Sequence, residues 1–368
     1  SAMLHPVVGG WIAVCICIVW LFDWAVSRRS ARSTGGIKSI IGIVAFSTTT
    51  IVAALPGLIP ALKMVMDDSL SKEDRELASF IQVFWRLKHH LDPTELTPSQ
   101  WIYAMNLLSV TIVAFIFAQQ HLRRVSRSTT TDGRRDGLPM SGAESALLLK
   151  FLLASLFVAT VGVAIGSHVV EARDMEGWQW RAALMKFYPF RTFDAMLPIV
   201  AGMFVALVLQ QRMIHASKKT ALIVLLLFGG LPVILAEMQQ ESCPPGYSGD
   251  QFQDWQAACS WIRRETPPAA LFLTPRESFA FKWFAERAEY VCYKDCPQDA
   301  AGILEWNRRL WWLHDWTLKS STDGVYDRSD LKELRNQTGC DYIVTRILGP
   351  FETAPIWQGK HWQVIQVP

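Results

Sequence analysis

Long apolar runs alternate with short charged segments over the first two thirds of the chain, and mixed, amphipathic patterning replaces them from about residue 240 onward. Six runs, 7–26, 40–62, 101–119, 147–169, 195–210 and 220–237, approach the ~20 residues that an α-helix needs to cross a hydrocarbon layer. The fifth is the shortest, and its flank 187–193 extends it. Pro56, Pro60, Pro198 and Pro232 fall in or near these runs, which membrane helices accommodate where neighbours re-satisfy the backbone. The pattern predicts a membrane all-α bundle of about six transmembrane helices over 1–239, with exterior loops 63–100 and 171–194. A small α/β domain with a mainly parallel sheet is expected over 240–368.

The loop 63–100 carries its own periodicity. Leu77, Phe80, Ile81, Phe84, Trp85 and Leu87 recur at helical spacing behind the charged Lys72, Glu73, Asp74, Arg75 and Glu76, which predicts an amphipathic helix on the membrane surface or against the bundle. In the last third, helices are expected over 252–264, 277–287, 299–319 and 329–338, and strands over 270–273, 289–293, 341–345 and 361–367. Thr266-Pro267-Pro268 and Gly339 act as stops. The stretch 126–137, rich in Ser, Thr, Arg and Gly, reads as disordered.

Charge gives the bundle a direction. The segment between the first two runs holds Arg28, Arg29, Arg32 and Lys38; that between the third and fourth holds Arg123, Arg124, Arg127, Arg134 and Arg135; that between the fifth and sixth holds Arg212, Lys218 and Lys219. The other two loops mix acids and bases. The positive-inside rule puts the three basic segments in the cytoplasm and makes the C-terminal domain extracytoplasmic. The same topology starts the chain outside with no signal peptide, as expected of the C-terminal part of a longer protein. The net charge of +3 is small and the bases flank apolar runs, so no nucleic-acid partner is expected; the bilayer is. Of ionisable groups in the runs, Asp23 and Lys150 lie near run ends and are expected to snorkel, which disfavours ion-coupled transport.

Cys15 and Cys17 fall inside the first run and read as packing residues. Cys243, Cys259, Cys292, Cys296 and Cys340 fall in the exterior domain, where an oxidising compartment favours pairing. Cys292–Cys296 is the nearest pair and Cys243–Cys259 the next, and the odd count leaves one thiol over. A zinc site is disfavoured: the Cys292–Cys296 spacing is tolerable, but no second Cys/His pair follows at finger spacing.

Four stretches carry a resemblance. They are Phe84-Trp85-Arg86-Leu87-Lys88-His89-His90-Leu91-Asp92-Pro93; Tyr188-Pro189-Phe190-Arg191; Trp261-Ile262-Arg263 through Thr266-Pro267-Pro268 to Phe272-Leu273-Thr274-Pro275; and Lys294-Asp295 with Pro297, closed by Asp341-Tyr342-Ile343-Val344 and 361–367. With these the chain resembles an uncharacterised bacterial multi-pass membrane family allied to the GT-C glycosyltransferases. The resemblance implies transfer of a sugar from a polyprenyl-phosphate donor on the outer face. It carries no catalytic carboxylate over, because GT-C enzymes hold theirs in a first exterior loop, which would precede residue 1 here. The alternative is a non-catalytic membrane protein, an envelope scaffold or transporter component.

Several residues suit such chemistry. Arg86, Lys88, His89, His90 and Asp92 sit beside the membrane surface, where cations stabilise a departing phosphate. An interfacial basic patch explains the same residues, and a divalent metal held by His89 or His90 with Asp92 is the least favoured alternative. Arg191, with Asp194 one turn on, faces a cavity or anchors a helix end. Glu171, Arg173, Asp174 and Glu176 form solvated loop charge or supply a base. Lys294 and Asp295 follow a strand end, where such sheets bind ligands, or close a local ion pair; Arg276 and Arg287 have similar standing. Trp306, Trp311, Trp312 and Trp316 stack on sugar rings or form core.

Overall fold

The computed structural model describes residues 6–29, 48, 52, 55, 59, 70–132, 142–213, 244, 246–276, 278 and 280–368. The chain divides into two compact units, Ser1–Phe228 and Gly229–Pro368.

The first unit is helical. Among the described residues three helices are long and apolar enough to cross a membrane: α1 (Pro6–Arg29), α4 (Pro98–Asp132) and α5 (Gly142–Gly166), with span windows Gly9–Val26, Pro98–Phe117 and Ser145–Gly166. The fifth run forms α7 (Thr192–Met213), whose apolar stretch Met196–Ala206 is shorter. The second and sixth runs lie almost wholly outside the described residues. Helix α4 continues to Asp132, so the first half of the stretch expected to be disordered is helical; an established helix propagates through neutral residues at little cost.

Between the spans lie α2 (Lys72–Phe80), the short α3 (Lys88–Leu91) and α6 (Trp178–Met185). The amphipathic helix expected at 71–88 exists as α2 and its continuation, and it packs against α6. Ser71 caps α2 by accepting from the Asp74 amide. Its apolar side joins the bundle: Val83, Phe84, Leu91, Met175, Ala182 and Met185 share one core with Leu152 and Ala159 of α5 and with Leu197, Val200 and Phe204 of α7. Trp11, near the start of α1, donates its indole N–H to the Phe187 carbonyl at 2.6 Å. The loops 70–97 and 167–191 therefore cap one end of the unit. The basic helix ends, at Arg29, Asp132 and Met213, point the other way.

Asp23 and Lys150 do not act separately. Antiparallel packing of α1 on α5 brings them to 2.5 Å, so an ion pair replaces the two snorkelling charges expected.

The second unit is a mixed five-stranded sheet of order β2-β1-β3-β5-β4, with β1 (Leu271–Leu273), β2 (Ala288–Glu289), β3 (Tyr342–Thr345), β4 (Trp357–Gln358) and β5 (Gln363–Gln366). β1 runs parallel to β2 and β3; β5 is antiparallel to both β3 and β4. The expected mainly parallel sheet is thus only its first half. β4 is two residues long and escaped the sequence reading, and its hairpin with β5 reverses the last strand.

Helices α8 (Gly249–Glu265), α9 (Phe281–Ala285), α10 (Ala300–Ser320) and α11 (Arg328–Thr338) surround the sheet. Trp255, Ala258, Cys259 and Ile262 of α8 bury against Phe272, Val344 and Val364, which share one face by strand alternation. The opposite parity, Leu273, Ile343 and Ile365, is buried as well. Arg309 of α10 donates to the Tyr290 carbonyl and Arg335 of α11 to the Val367 carbonyl, which ties these helices to the sheet. Capping sets the boundaries: Ser248 with Gln251 starts α8, Asp327 with Asp330 starts α11, and Gly339 at φ +73° ends it. The helix expected over 277–287 shrinks to five residues because Ala280 and Glu286 both turn left-handed, at φ +50°. Asp254 clamps the β4–β5 turn by accepting from the His361 amide at 2.6 Å and the Trp362 amide at 2.9 Å.

Candidate functional site

The residues singled out between Arg86 and Asp92 lie where α2 unwinds. After Phe80 the helix widens into a π turn over Ile81–Arg86, and Leu87, at φ −114° and ψ 25°, breaks it. Side chains diverge from there. Lys88, His89 and His90 are exposed and Arg86 is half-buried. The His89 and His90 rings sit 4.0 Å apart, and Lys88 Nζ bonds Glu95 Oε1 at 3.0 Å.

Asp92 turns the other way and is buried. Its Oδ1 accepts from the Thr94 amide at 2.8 Å, which starts the 3₁₀ turn Pro93–Glu95. Its Oδ2 lies 3.0 Å from His168 Nε2, and His168 Nδ1 lies 2.7 Å from the Val170 carbonyl. The Val170 carbonyl only accepts, so Nδ1 donates to it, and the Asp92 carboxyl beside Nε2 favours the protonated ring. Partial burial pulls its pKa down; the Asp92 hydrogen bond, the Val170 carbonyl and the charges of Asp92 and Glu95 outweigh this, and the pKa is raised. Neither nitrogen remains to act as a base. Asp92, spent on His168, does not join His89 or His90 around a metal, which corrects that expectation for this end of the bundle.

The pair bolts the loop 70–97 to the loop 167–191 beside a close approach. A Cβ on Gly166 would come within 2.7 Å of the Pro93 ring and 2.8 Å of Met185 Sδ. Likewise a Cβ on Gly162 would lie 2.8 Å from the Phe190 amide nitrogen, in the Tyr188-Pro189-Phe190-Arg191 stretch, where Tyr188 is held at φ +36°. Such a backbone is strained for a residue with a Cβ, by about 1–3 kcal/mol.

Next to these contacts opens an apolar groove of about 630 Å³, bounded by α4, α5 and the start of α7. Trp101, Met105, Leu156, Val163 and Phe190 form its walls, and Leu96, Ser99 and Gln100 lie at one end. The walls on α4 and α5 belong to the span windows.

The second group is at the carboxyl ends of β1 and β2. Asp295 accepts from Lys282 Nζ at 2.7 Å, so it forms the ion pair that was one of its two expectations, although with Lys282 and not within its own turn. Lys294 lies beside it in the turn after Cys292. Lys282 also reaches toward Glu289, at 3.9 Å. The Glu289 side chain is 3% exposed and accepts hydroxyls from Thr274 at 2.7 Å and Ser278 at 2.6 Å. Burial pulls the Lys282 pKa down, but the Asp295 bond and the neighbouring charges raise it overall.

The cysteine expectations are corrected. Cys292, Cys296 and Cys259 are thiols, not disulfide halves. Cys292 is buried and its Sγ faces the Ser278 hydroxyl at 3.5 Å; Cys259 sits in the α8 core, where burial pushes its pKa far up. Cys243 and the side chains of Arg191 and Asp194 lie outside the described residues.

Other expected residues have structural duties. Arg287 is buried and donates to the Thr266 and Arg263 carbonyls at 2.6 and 2.7 Å, closing the end of α8. Arg276 stacks over Tyr293 at 4.4 Å, and Arg173 over Phe80 at 5.1 Å. Glu171, Asp174 and Glu176 are exposed loop charges. Trp306 and Trp316 are core, whereas Trp311 is exposed. Sequence reasoning missed His168, which follows α5 with no pattern around it. It also missed Glu289, for which a lone acid opening an apolar strand was the available signal.

Residues 253–313 match a domain family described only as a domain of unknown function (DUF6798). The matched segment holds most of α8, then β1, α9, β2 and most of α10, and with them the whole Glu289 cluster. No curated protein matches the chain at a significant level. What these findings identify is a membrane-type helical unit joined to an α/β unit that is similar, over 253–313, to DUF6798.

Proposed function

We propose that this chain serves a GT-C-like glycosyl transfer at the outer face of a bacterial cytoplasmic membrane, with a polyprenyl-phosphate sugar as donor. The observation that carries the reading is the groove. It is apolar and of a size for several isoprene units, and its walls belong to helices long enough to span a bilayer, so a lipid chain is the ligand that its chemistry suits. Lys88 bonds Glu95, whose neighbour Leu96 lines the groove, so a cation stands near the end where a phosphate would emerge. His89 and His90 are exposed alongside it and suit the same phosphate.

In the reaction an acceptor hydroxyl attacks the anomeric carbon, the bond from that carbon to the phosphate oxygen breaks, and polyprenyl phosphate leaves. This chain's part is to seat the lipid and neutralise the departing phosphate. The base is assigned to no residue of it, since the His168 nitrogens and the Asp92 carboxylate are committed to each other and to the backbone. Six spans, basic loops inside and an extracytoplasmic α/β unit complete the proposal, on the charge pattern of the sequence.

A scaffold reading has one observation of its own: the Asp92–His168 clamp holds two loops together without leaving a reactive group. A photoreactive polyprenyl-phosphate probe separates the two readings. With the purified chain, saturable crosslinking into α4 and α5 is expected, lost on Thr160→Trp, which fills the groove from an exposed position, and weakened on Lys88→Ala. Crosslinking that does not saturate, or that ignores Thr160→Trp, refutes the donor site and leaves the scaffold.

A further inference from the structure

Three atoms of metal-ligand type converge in the α/β unit: a carboxylate oxygen of Glu289, Sγ of Cys292 and a carboxylate oxygen of Asp295 lie within 4.8 Å of one another. We propose that they form a binding site for a divalent, sulfur-tolerant cation of the zinc class. Oxygen-only sites suit magnesium and calcium, and a thiolate in the set shifts the preference to zinc.

The surroundings of Glu289 carry the argument. Both of its hydroxyl donors, Thr274 and Ser278, bond the same oxygen, Oε2. Among the described residues Oε1 faces Lys282 Nζ at 3.9 Å, beyond hydrogen-bond distance, in a side chain 3% exposed. Outer hydroxyls that pin one oxygen and aim the other are how metal-binding carboxylates are oriented. Ser278 also reaches Cys292 Sγ, so one hydroxyl sets two of the three ligands. The Cys292 backbone is fixed in turn, because its carbonyl accepts from the Trp306 indole at 2.9 Å.

Lys282 is the competitor. Its ammonium lies against Asp295 and Glu289, where a cation is already favoured, yet its side chain is 53% exposed and free to swing into solvent. Binding requires the Cys292 thiol to lose a proton, which passes to solvent as the sulfur–metal bond forms, and Lys282 to withdraw. Three protein ligands leave a fourth position open to water or to an anionic ligand. The site stands independently of the glycosyl-transfer reading.

Cadmium titration of the purified chain in detergent tests this, because a cadmium–thiolate bond absorbs in the ultraviolet. A one-to-one band with proton release is expected, displaced by zinc. Cys292→Ser abolishes the band, and Ser278→Ala weakens affinity by about 10–100-fold. Lys282→Met, at a half-exposed position that leaves the fold intact, tightens it, and Asp295→Asn weakens it. Absence of the band in the native chain, a band surviving Cys292→Ser, or affinity unmoved by Lys282→Met and Asp295→Asn overturns the proposal.

Discussion

Replacing Asp92 by asparagine should destabilise the helical unit, and by an amount that depends on pH. Asp92 and His168 have side chains only 4% and 13% exposed, so little solvent screens them. Breaking a fully buried pair costs about 3–5 kcal/mol. Here the imidazolium can shed its proton once the carboxylate is gone, which limits the loss to about 1.5–3 kcal/mol, the range for a hydrogen bond to a charged group. The sign follows from His168. Its folded pKa is raised above the unfolded value of about 6.5. Its contribution is therefore fully present below about pH 6.5 and is lost as pH rises through the folded value. Thermal unfolding of the purified chain in detergent between about pH 5 and about pH 9 reads this for the native chain, Asp92→Asn, His168→Gln and the double variant. The deficit of Asp92→Asn should be greatest at the acid end and shrink toward the alkaline end, and the double variant should lose no more than His168→Gln alone. An equal deficit at every pH would refute the imidazolium assignment.

Two further outcomes follow from the helix packing. Neutralising one member of the Asp23–Lys150 pair, by Asp23→Asn or Lys150→Met, should cost roughly 1–2 kcal/mol, and neutralising both should recover most of it. The figure is below the ~2.5–3.5 kcal/mol for a lone charge at a helix centre because both side chains are more than a third exposed, at 43% and 36%. Detergent-solubilised melting curves of the three variants check the sum; full additivity of the single losses would contradict the pair. Gly166→Val should cost about 1–3 kcal/mol by driving its Cβ into Pro93 and Met185, measured the same way, and an unchanged stability would show that the two loops do not approach so closely.

The elements that the sequence announced were those with long local periods. The span helices α1, α4 and α5 follow from unbroken apolar runs, and α8, α10 and α11 from capping residues and amphipathic spacing, so each was legible within a few residues except the end of α4, which runs on to Asp132. The strand β4 was not, because two residues carry no period and their pairing with β5 is set by the Asp254 clamp, more than a hundred residues away in the chain. The same limit applies to the sites. Asp295 was singled out because loops after strands bind ligands, but Lys282 of α9 and Ser278 and Thr274 of the segment before it reach Glu289 only through folding. Asp92 was read as a partner of its neighbours His89 and His90; burial turned it to His168, 76 positions on. Cys292 and Cys296 are close in sequence, yet Cys292 points into the core beneath Ser278, where a bridge would give up its packing.

Everything proposed for the lipid donor requires the capped end of the bundle and the α/β unit to face outward. Single cysteines at Lys88 and Lys360, both exposed, in a chain otherwise free of reactive thiols, read this directly when intact cells meet a membrane-impermeant maleimide. Both positions should label without permeabilisation, whereas labelling that appears only after the membrane is opened would contradict the account.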